Sequence, residues 1–355
     1  MISPSDRQRI AEKLASHRQE LAARVAGKHL ERNPEWLQRF GELGRVRCLE
    51  DADFHLQYLI HAVRLSTPAL FTSYVQWTRR VLEKRQIAWR DLQQNLELLR
   101  DEIERELGDD AVPARECIDA ALNAGPEDMQ SFLAGTAREP LARTYLTALL
   151  RANRRQAAEV IEGATQDGVS IRDLYLDVFQ PVQREIGRLW QDNEISVAEE
   201  HYCTASTQAL MAQFYPSILA TPRKGQKVVV ACVGNELHEI GTRMVADFFE
   251  LDGWDGIYIG ANTPTNALVD LVCRESPDLV ALGITMTYHL GTASKVIERL
   301  RGDERCSDVK ILVGGRVFQQ HDDLWRSLGA DAHAGDAAAA VTIGNELVNG
   351  PGSPQ

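Results

Sequence analysis

A histidine in a polar turn is the first residue of this sequence that could do chemistry. His238 comes shortly after Lys227–Val233, a continuous apolar run rich in β-branched residues. Such a run predicts a strand covered on both faces of a parallel sheet, and Gly241 predicts a closely packed helix start after it. His238 then lies at the carboxyl end of a strand, where open α/β sheets bind ligands. A histidine there is more often solvated or capping than ligating, so both interpretations stay open.

The turn around His238 resembles a known signature. Glu236-Leu237-His238-Glu239-Ile240-Gly241 is similar to the Asp-x-His-x-x-Gly motif of cobalamin-binding domains. The resemblance implies that His238 is the lower ligand of cobalt, in place of the dimethylbenzimidazole of cobalamin. It also implies that the neighbouring carboxylate bonds the second ring nitrogen. Glu236 is one methylene longer than the Asp of the family, so it must shift position to make this bond.

Two further segments match the family at the expected places. Thr285-Met286-Thr287 follows the third predicted strand, where the family has Ser-x-Leu or Ser-x-Thr. A glycine pair follows the fourth, where the family has glycines beside the nucleotide tail. The resemblance implies cofactor contacts at these positions and in the turn: Leu237, Glu239, Ile240, Gly241, Thr285, Thr287, Gly314 and Gly315. His289 is a candidate neighbour of the same crevice.

Strands alternating with helical runs must position these residues. The predicted strands are Lys227–Val233, Gly256–Ile259, Leu279–Ile284, Lys310–Val313 and a short one near Ala330–Ala334. Strict alternation predicts a doubly wound α/β fold, with a five-stranded parallel sheet of Rossmann or flavodoxin-like type. In the order 2-1-3-4-5 the switch point lies between strands one and three, so His238 and Thr285 flank one crevice.

Four short helices are predicted upstream, between Leu141 and Tyr215, and indicate a four-helix bundle. Ser196-Val197-Ala198-Glu199 is a capping-box sequence that opens the fourth helix. Trp190 is followed after nine residues by Glu200-His201. Without further information, Trp190 is a core residue and Glu200-His201 a charge pair at a helix start.

The Trp-x9-Glu-His spacing resembles the signature of CarH-type cobalamin photoreceptors, and the resemblance covers roughly residues 140 to 349. It implies that Trp190, Glu200 and His201 hold the 5'-deoxyadenosyl group on the upper face of the corrin. An indole is a flat apolar cover, and a carboxylate with an imidazole can bond ribose hydroxyls. Gln191 stands where the photoreceptors often have a second cobalt-ligating histidine, and their usual DNA-binding domain is missing.

Residues 1–137 are predicted to be a helical sensory or assembly domain. Pro68 should kink or split the apolar region Asp53–Leu82. A related group, the photocobilins, couples such a cobalamin domain to a bilin, so a noncovalent biliverdin is a second candidate cofactor. The aromatic residues that could line its slot, or equally form a core, are Phe54, Tyr58, Phe71, Tyr74 and Trp77, with Arg79, Arg80 and Arg85 nearby. The four histidines of this region fit no metal motif.

Composition limits the remaining choices. The chain has 355 residues and a net charge of -12, which argues against a nucleic-acid or anionic-membrane surface. It carries no apolar run that could span a bilayer, so a cytoplasmic location is expected. The six cysteines form no Cys-x-x-Cys pair and are expected to be reduced, buried thiols. The expected boundaries are 1–137, the bundle 138–222, the α/β domain 223–349 and a tail 350–355.

The sequence therefore predicts a cobalamin-dependent light sensor with adenosylcobalamin as its ligand, rather than an enzyme. Its downstream signalling partner is not specified by the sequence, and a homo-oligomer stays open. The first alternative is a corrinoid carrier protein of a methyltransferase system, which needs an open upper face. The second is an interaction module that binds no corrin.

Overall fold

The computed structural model describes residues 3–319, 321 and 323–350, and the chain divides into two compact units between Asp128 and Met129. The helices of the first unit are α1 (Pro4–Ser16), α2 (Arg18–Arg32), α3 (Glu35–Arg64), α4 (Pro68–Glu83), α5 (Trp89–Leu107) and α6 (Val112–Asn123). Pro68 begins α4, so the predicted split is confirmed. Proline is tolerated there because the first helical amide has no partner within the helix.

Three aromatic side chains of α3 and α4 are buried in the largely aliphatic core of this unit. Tyr58 and Tyr74 stack with ring centroids 3.6 Å apart, and Phe71 is fully buried. Phe54 is exposed instead. Three of the aromatic residues that could have lined an open slot therefore pack as core residues. α3 is also interrupted at Gly41, whose positive φ breaks the helical geometry in a way that apolar spacing does not reveal.

The second unit begins with a helical module, residues 139–219. Its helices are α7 (Glu139–Leu150), α8 (Arg154–Gln166), α9 (Ile171–Leu174), α10 (Gln180–Gln191), α11 (Val197–Met211) and α12 (Tyr215–Leu219). A π-helical turn, Tyr175–Phe179, joins α9 to α10. The predicted capping box is confirmed, because Ser196 and Glu199 bond each other's backbone amides at the start of α11.

The α/β part follows, and its sheet is wholly parallel with the order β2-β1-β3-β4-β5. Its strands are β1 (Lys227–Val233), β2 (Asp255–Thr263), β3 (Leu279–Gly283), β4 (Lys310–Gly314) and β5 (Ala332–Ala334). The helices between and after them are α13 (Ile240–Leu251), α14 (Thr265–Glu275), α15 (Leu290–Gly302), α16 (Arg316–Gln319), α17 (Leu324–Ser327) and α18 (Ala337–Asn349). The doubly wound fold and its strand order are confirmed.

One hydrophobic core continues from the helical module into the sheet. It includes Tyr145 and Phe179 of the module together with Phe248 and Phe249 of α13. The hydroxyl of Tyr175 donates a hydrogen bond to a carboxylate oxygen of Asp247 on α13 at 2.8 Å. This shared core fixes the helical module against the sheet whose strand β1 leads into the turn of His238.

Two sequence expectations are wrong. Cys273 and Cys306 are joined in a disulfide, so not all cysteines are reduced thiols. Their sequence separation of 33 residues gave no local signal of the pairing. A Cβ atom at Gly241 would meet no atom within 4 Å, so close packing does not explain that glycine.

Across the described ranges, the helices all fall short of the length and apolarity needed to cross a membrane. The predicted tail is described only at Gly350, and residues 351–355 lie outside the described part of the chain.

Candidate functional site

The side chain of His238 is held by a buried carboxylate. Its Nδ1 lies 2.6 Å from Oε1 of Glu236, and its backbone amide donates to the same oxygen at 3.1 Å. Glu236 is fully buried, whereas the imidazole is 58% exposed. Within the described part of the chain, Nε2 of His238 has no hydrogen-bond partner. The hydrogen bond from Nδ1 to Glu236 fixes the tautomer of the ring, so Nε2 is available as a ligand atom.

The second oxygen of Glu236 ties this turn to the neighbouring strand. Its Oε2 accepts hydrogen bonds from the backbone amides of Thr285 at 2.7 Å and Met286 at 3.0 Å. The longer side chain thus reaches both the imidazole and the loop after β3. The predicted proximity of His238 and Thr285 is confirmed, and Met286 is a contact that sequence reasoning missed. Because it acts through its backbone amide, its side-chain type carried no signal.

The electrostatics of the pair follow from these contacts. Burial alone would favour the neutral carboxyl, but hydrogen bonds from His238 and the two amides lower the pKa of Glu236 to about 2. The hydrogen bond and charge of Glu236 in turn raise the pKa of His238, against the opposing effect of burial. The carboxylate is therefore ionised across the physiological range and makes the imidazole a stronger base.

Two asparagines shape the turn that carries His238. Asn235 and Asn262 both adopt left-handed backbone conformations, which asparagine tolerates better than most residues. The amide of Asn235 donates to the side-chain oxygen of Asn262 at 2.7 Å, and the amide of Asn262 donates to the carbonyl of Glu236 at 2.9 Å. The end of β2 thus braces the turn after β1.

The loop after β3 adds further residues to this edge. Thr285 and Thr287 are half-buried, and Thr287 begins a short 3-10 turn that ends at His289. His289 is buried, and burial lowers its pKa; the charge of Glu236 opposes this shift, whereas that of His238 adds to it. The ring of Tyr288 lies 4.2 Å from that of His289. His289 is thus a buried neighbour of the pair.

The glycine pair after β4 closes the other side of the crevice. Gly315 has a φ of +118°, and a Cβ atom there would overlap the carbonyl oxygen of Ile284. The carbonyl of Gly314 accepts the amide of Ile284 at 2.8 Å. No side chain fits at Gly315, because backbone atoms of Ile284 occupy the space that a Cβ atom would take. The glycine therefore lets the chain pack closely where strands β3 and β4 end.

Both carboxylate oxygens of Glu239 accept hydrogen bonds from other parts of the protein. Its Oε1 accepts a hydrogen bond from Gln208 of α11 at 2.9 Å. Its Oε2 accepts from the amide of Ala261 at 3.0 Å and from the hydroxyl of Tyr258 at 3.2 Å. Both oxygens are therefore engaged by protein groups that join the helical module to β2. Ile240 is half-buried against the shared core, and Leu237 is 71% exposed beside His238.

The helical module carries the remaining candidate residues. Trp190 is half-buried near the end of α10, and His201 is largely exposed in the first turns of α11. Nδ1 of His201 lies 2.5 Å from a carboxylate oxygen of Glu200. The negative charge of Glu200 contributes to the raised pKa of His238, so Glu200 lies near that histidine. Val197 is an exposed apolar residue on the same turn, and sequence reasoning missed it.

Comparison with known proteins identifies two domains here. Residues 226–343 match a family model described as a B12 binding domain, and residues 141–215 match a second model with the same description. The chain is 29% identical over 192 residues to the HTH-type transcriptional repressor CarA of Myxococcus xanthus, covering 53% of this chain and 63% of the repressor. It is 28% identical over 168 residues to dimethylamine corrinoid protein 3 of Methanosarcina mazei, covering 47% of this chain and 96% of that protein.

A solved structure shares the fold. The Methanosarcina barkeri monomethylamine corrinoid protein aligns with a TM-score of 0.52 and 20% sequence identity. The alignment covers 59% of this chain and 100% of that one. The chain spans less than two thirds of the repressor's length but nearly all of the dimethylamine corrinoid protein.

Proposed function

This chain belongs to the cobalamin-binding proteins, with B12 binding domains at residues 141–215 and 226–343, and we propose that it is a light sensor that holds adenosylcobalamin. The observation that supports the proposal is that Glu200, on the helical module, lies close enough to His238 for its negative charge to contribute to the raised pKa of that histidine. His238, with its carboxylate partner, is on the sheet, and Trp190 with Glu200 and His201 is on the helical module. A sensor needs the first set to bind the corrin and the second to detect the upper ligand.

The residues on the sheet fit the lower face of cobalamin. A cobalt ligand needs an imidazole nitrogen with a free lone pair and a fixed ring, and Nε2 of His238 meets both conditions. Gly314 and Gly315 lie at the end of β4, at the same edge of the sheet, and we assign the nucleotide tail to this end. Thr285 and Thr287 supply hydroxyl groups at the same edge.

The residues on the helical module suit an adenosyl group above the corrin. Trp190 offers a flat apolar surface, and Glu200 and His201 offer a carboxylate and an imidazole for ribose hydroxyls. Leu237 and Val197 are exposed apolar side chains that a large planar ligand would cover. Gln191 is buried where related photoreceptors often have a histidine, so this position supplies no second imidazole.

We assign the conformational change that follows illumination to the helices that carry Trp190, Glu200 and His201. When bound, adenosylcobalamin supplies visible absorption and a light-sensitive cobalt–carbon bond. Loss of the adenosyl group would leave Trp190 and the Glu200–His201 pair without their ligand contacts. Because α10 and α11 share a core with α13, a change in their packing can shift the module against the sheet.

Illumination of the loaded, full-length protein tests this proposal. Adenosylcobalamin protein should change its visible spectrum under light, and amide hydrogen exchange in α10 and α11 should rise with it. Protein loaded with hydroxocobalamin is the control and should show no light-dependent exchange. A light-induced spectral change without any change in exchange would contradict a sensor role.

A corrinoid carrier remains the alternative, because the match covers 96% of dimethylamine corrinoid protein 3. A carrier has to expose the upper face of the corrin to a methyl donor, so an indole that covers this face, as proposed for Trp190, would not help it. Competition binding separates the two functions. A sensor should prefer adenosylcobalamin over methylcobalamin, whereas a carrier should bind both equally or prefer the methyl form.

A noncovalent biliverdin in the first unit is a second proposal, supported by one observation. A cavity of about 30 Å³ lies between α2, α3 and α5, and Nδ1 of His29 and Oδ1 of Asn95 have no hydrogen-bond partner there. These buried polar atoms could meet pyrrole nitrogens, although the cavity would have to widen to take a tetrapyrrole. Expression with a biliverdin supply should give red absorbance that survives gel filtration. Its absence from folded, cobalamin-loaded protein would end this proposal.

A further inference from the structure

Two cysteines are joined at the edge of the sheet opposite the cobalamin crevice. Cys273 lies near the end of α14, before β3, and Cys306 lies in the loop between α15 and β4. Both therefore precede strands whose carboxyl ends form the crevice. Their Cα atoms are 5.0 Å apart, within the usual range for a disulfide.

All six cysteines are buried, Cys273 and Cys306 being 8% exposed, and the other four are in environments that suppress thiol chemistry. Cys48, Cys117, Cys203 and Cys232 are buried and free. Burial raises the pKa of Cys48, Cys117 and Cys232 to about 12 and that of Cys203 to about 11. A thiolate is the reactive form, so these four thiols are poor nucleophiles at neutral pH.

The disulfide lies beside an open cavity. Cys306 lines a space of about 130 Å³, and the other lining residues are Ser276, Pro277, Glu304, Arg305, Ser307, Asp308 and Val309. Arg305 forms an ion pair with Asp303, whose carboxylate lies close to both sulfur atoms. The cavity therefore carries charged groups of both signs, the guanidinium of Arg305 and the carboxylates of Glu304 and Asp308, and it reaches Cys306. These features suit a small, charged thiol compound rather than an apolar ligand.

We propose that Cys273 and Cys306 form a thiol–disulfide exchange site for low-molecular-weight thiols of the glutathione class. From the reduced state, the Cys306 thiolate attacks one sulfur of the small disulfide, whose S–S bond breaks and releases one thiolate. The Cys273 thiolate then attacks Cys306 in the mixed disulfide and releases the second. In sum, two protons and two electrons pass from the cysteine pair to the small disulfide, giving two small thiols.

Oxidation of the cysteine pair is expected to raise the thermal stability of the protein rather than to change its affinity for cobalamin. The disulfide ties the end of α14 to the loop after α15 and closes a 33-residue segment, which restricts the unfolded chain. Oxidised protein should therefore melt several degrees above reduced protein. Cobalamin affinity should change less than about twofold, because the crevice lies at the other end of the strands.

The test is a redox titration of the full-length native protein. Samples are equilibrated in mixtures of reduced and oxidised glutathione, trapped with iodoacetamide, and analysed by peptide mass spectrometry. Cys273 and Cys306 should change together with a two-electron dependence and a midpoint inside the buffer range. C117S is the matched control and should leave this titration unchanged, whereas C306S should leave Cys273 unable to form the intramolecular bond.

Three results would overturn the proposal. The pair could stay oxidised in every native buffer, which indicates an inaccessible structural disulfide. It could stay reduced even in oxidised glutathione alone. One cysteine could change without the other, which would show that they do not act as a couple. The wild-type titration decides among these outcomes even where the C306S variant fails to fold.

Discussion

At the scale of single residues, Glu236 connects the pieces of the site. One oxygen holds the imidazole of His238, and the other holds the loop after β3 through Thr285 and Met286. Glu236 stands where the family has Asp, and its extra methylene means that the carboxylate must shift position to bond the imidazole. The distances show that the longer side chain serves both partners at once.

Glu236→Gln should therefore weaken cobalamin binding. A glutamine can accept only through one oxygen, so it cannot hold both the imidazole and the two backbone amides, and it lacks the charge that raises the basicity of His238. We expect roughly a 10–100-fold loss of affinity by absorbance titration. Glu236→Asp keeps a carboxylate and should lose less. Equal affinity of E236Q and wild-type protein would contradict the role assigned to Glu236.

Trp190 should distinguish between upper ligands. Trp190→Ala should reduce the affinity for adenosylcobalamin roughly tenfold, since a contact with a large aromatic surface is removed. Hydroxocobalamin carries no adenosyl group, so its affinity should change little. Trp190→Phe preserves a flat apolar face and should have an intermediate effect. Equal losses for both cobalamins would argue against an upper-face position of this residue.

At the scale of elements, the contact between the helical module and α13 contains a buried acid. Asp247 is 2% exposed and accepts a hydrogen bond from Tyr175. Burial raises its pKa to about 6, against smaller opposing effects of Tyr175 and Arg243. The folded protein therefore favours the neutral carboxyl. The stability that this group contributes is present at low pH and is lost as the pH rises from about 4 to about 6.

Asp247→Asn should remove this pH dependence, because an amide does not titrate. Relative to wild type, the free energy of unfolding of D247N should rise by up to roughly 3 kcal/mol between pH 4 and pH 6 and then stay level. Urea unfolding of both proteins from pH 4 to pH 8 measures the difference. A difference that is constant across this range would show that Asp247 does not titrate as stated.

Elements differed in how far the sequence could predict them. The strand β1 was predicted to its ends, because the six apolar residues that follow Lys227 suit a strand covered on both faces. The capping box of α11 was equally visible, since its chemistry is local. The π-helical turn at Tyr175–Phe179 and the break at Gly41 could not be predicted from the sequence, because they depend on the surrounding tertiary contacts.

In the candidate site, too, features set by local sequence or topology could be predicted, and features set by tertiary contacts could not. The type and order of the strands placed His238 and Thr285 at one edge, so their proximity could be predicted from topology. Bonds through backbone amides, such as that of Met286 to Glu236, leave no trace in side-chain type. The Gln208–Glu239 bond and the Cys273–Cys306 disulfide join distant segments, and one sequence contains no local signal for either.

At the scale of the whole molecule, residues 129–355 form a compact unit with a core that runs through both the helical module and the sheet. Both matched B12 binding domains lie within this unit. We therefore expect a fragment of residues 129–355 to fold and to bind cobalamin with an affinity within about threefold of the full chain. Circular dichroism and absorbance titration check this. A fragment that folds but does not bind would assign part of the site to residues 1–128.

The absorption spectrum of cobalamin bound to the His238→Ala protein tests the central claim most directly. Wild-type protein should show the base-on spectrum of cobalamin with a nitrogen lower ligand. H238A should show the base-off form and weaker binding, because the variant has no imidazole at this position. His201→Ala is the matched control and should remain base-on, since His201 is assigned to the upper face. An unchanged spectrum and affinity in H238A would contradict the account.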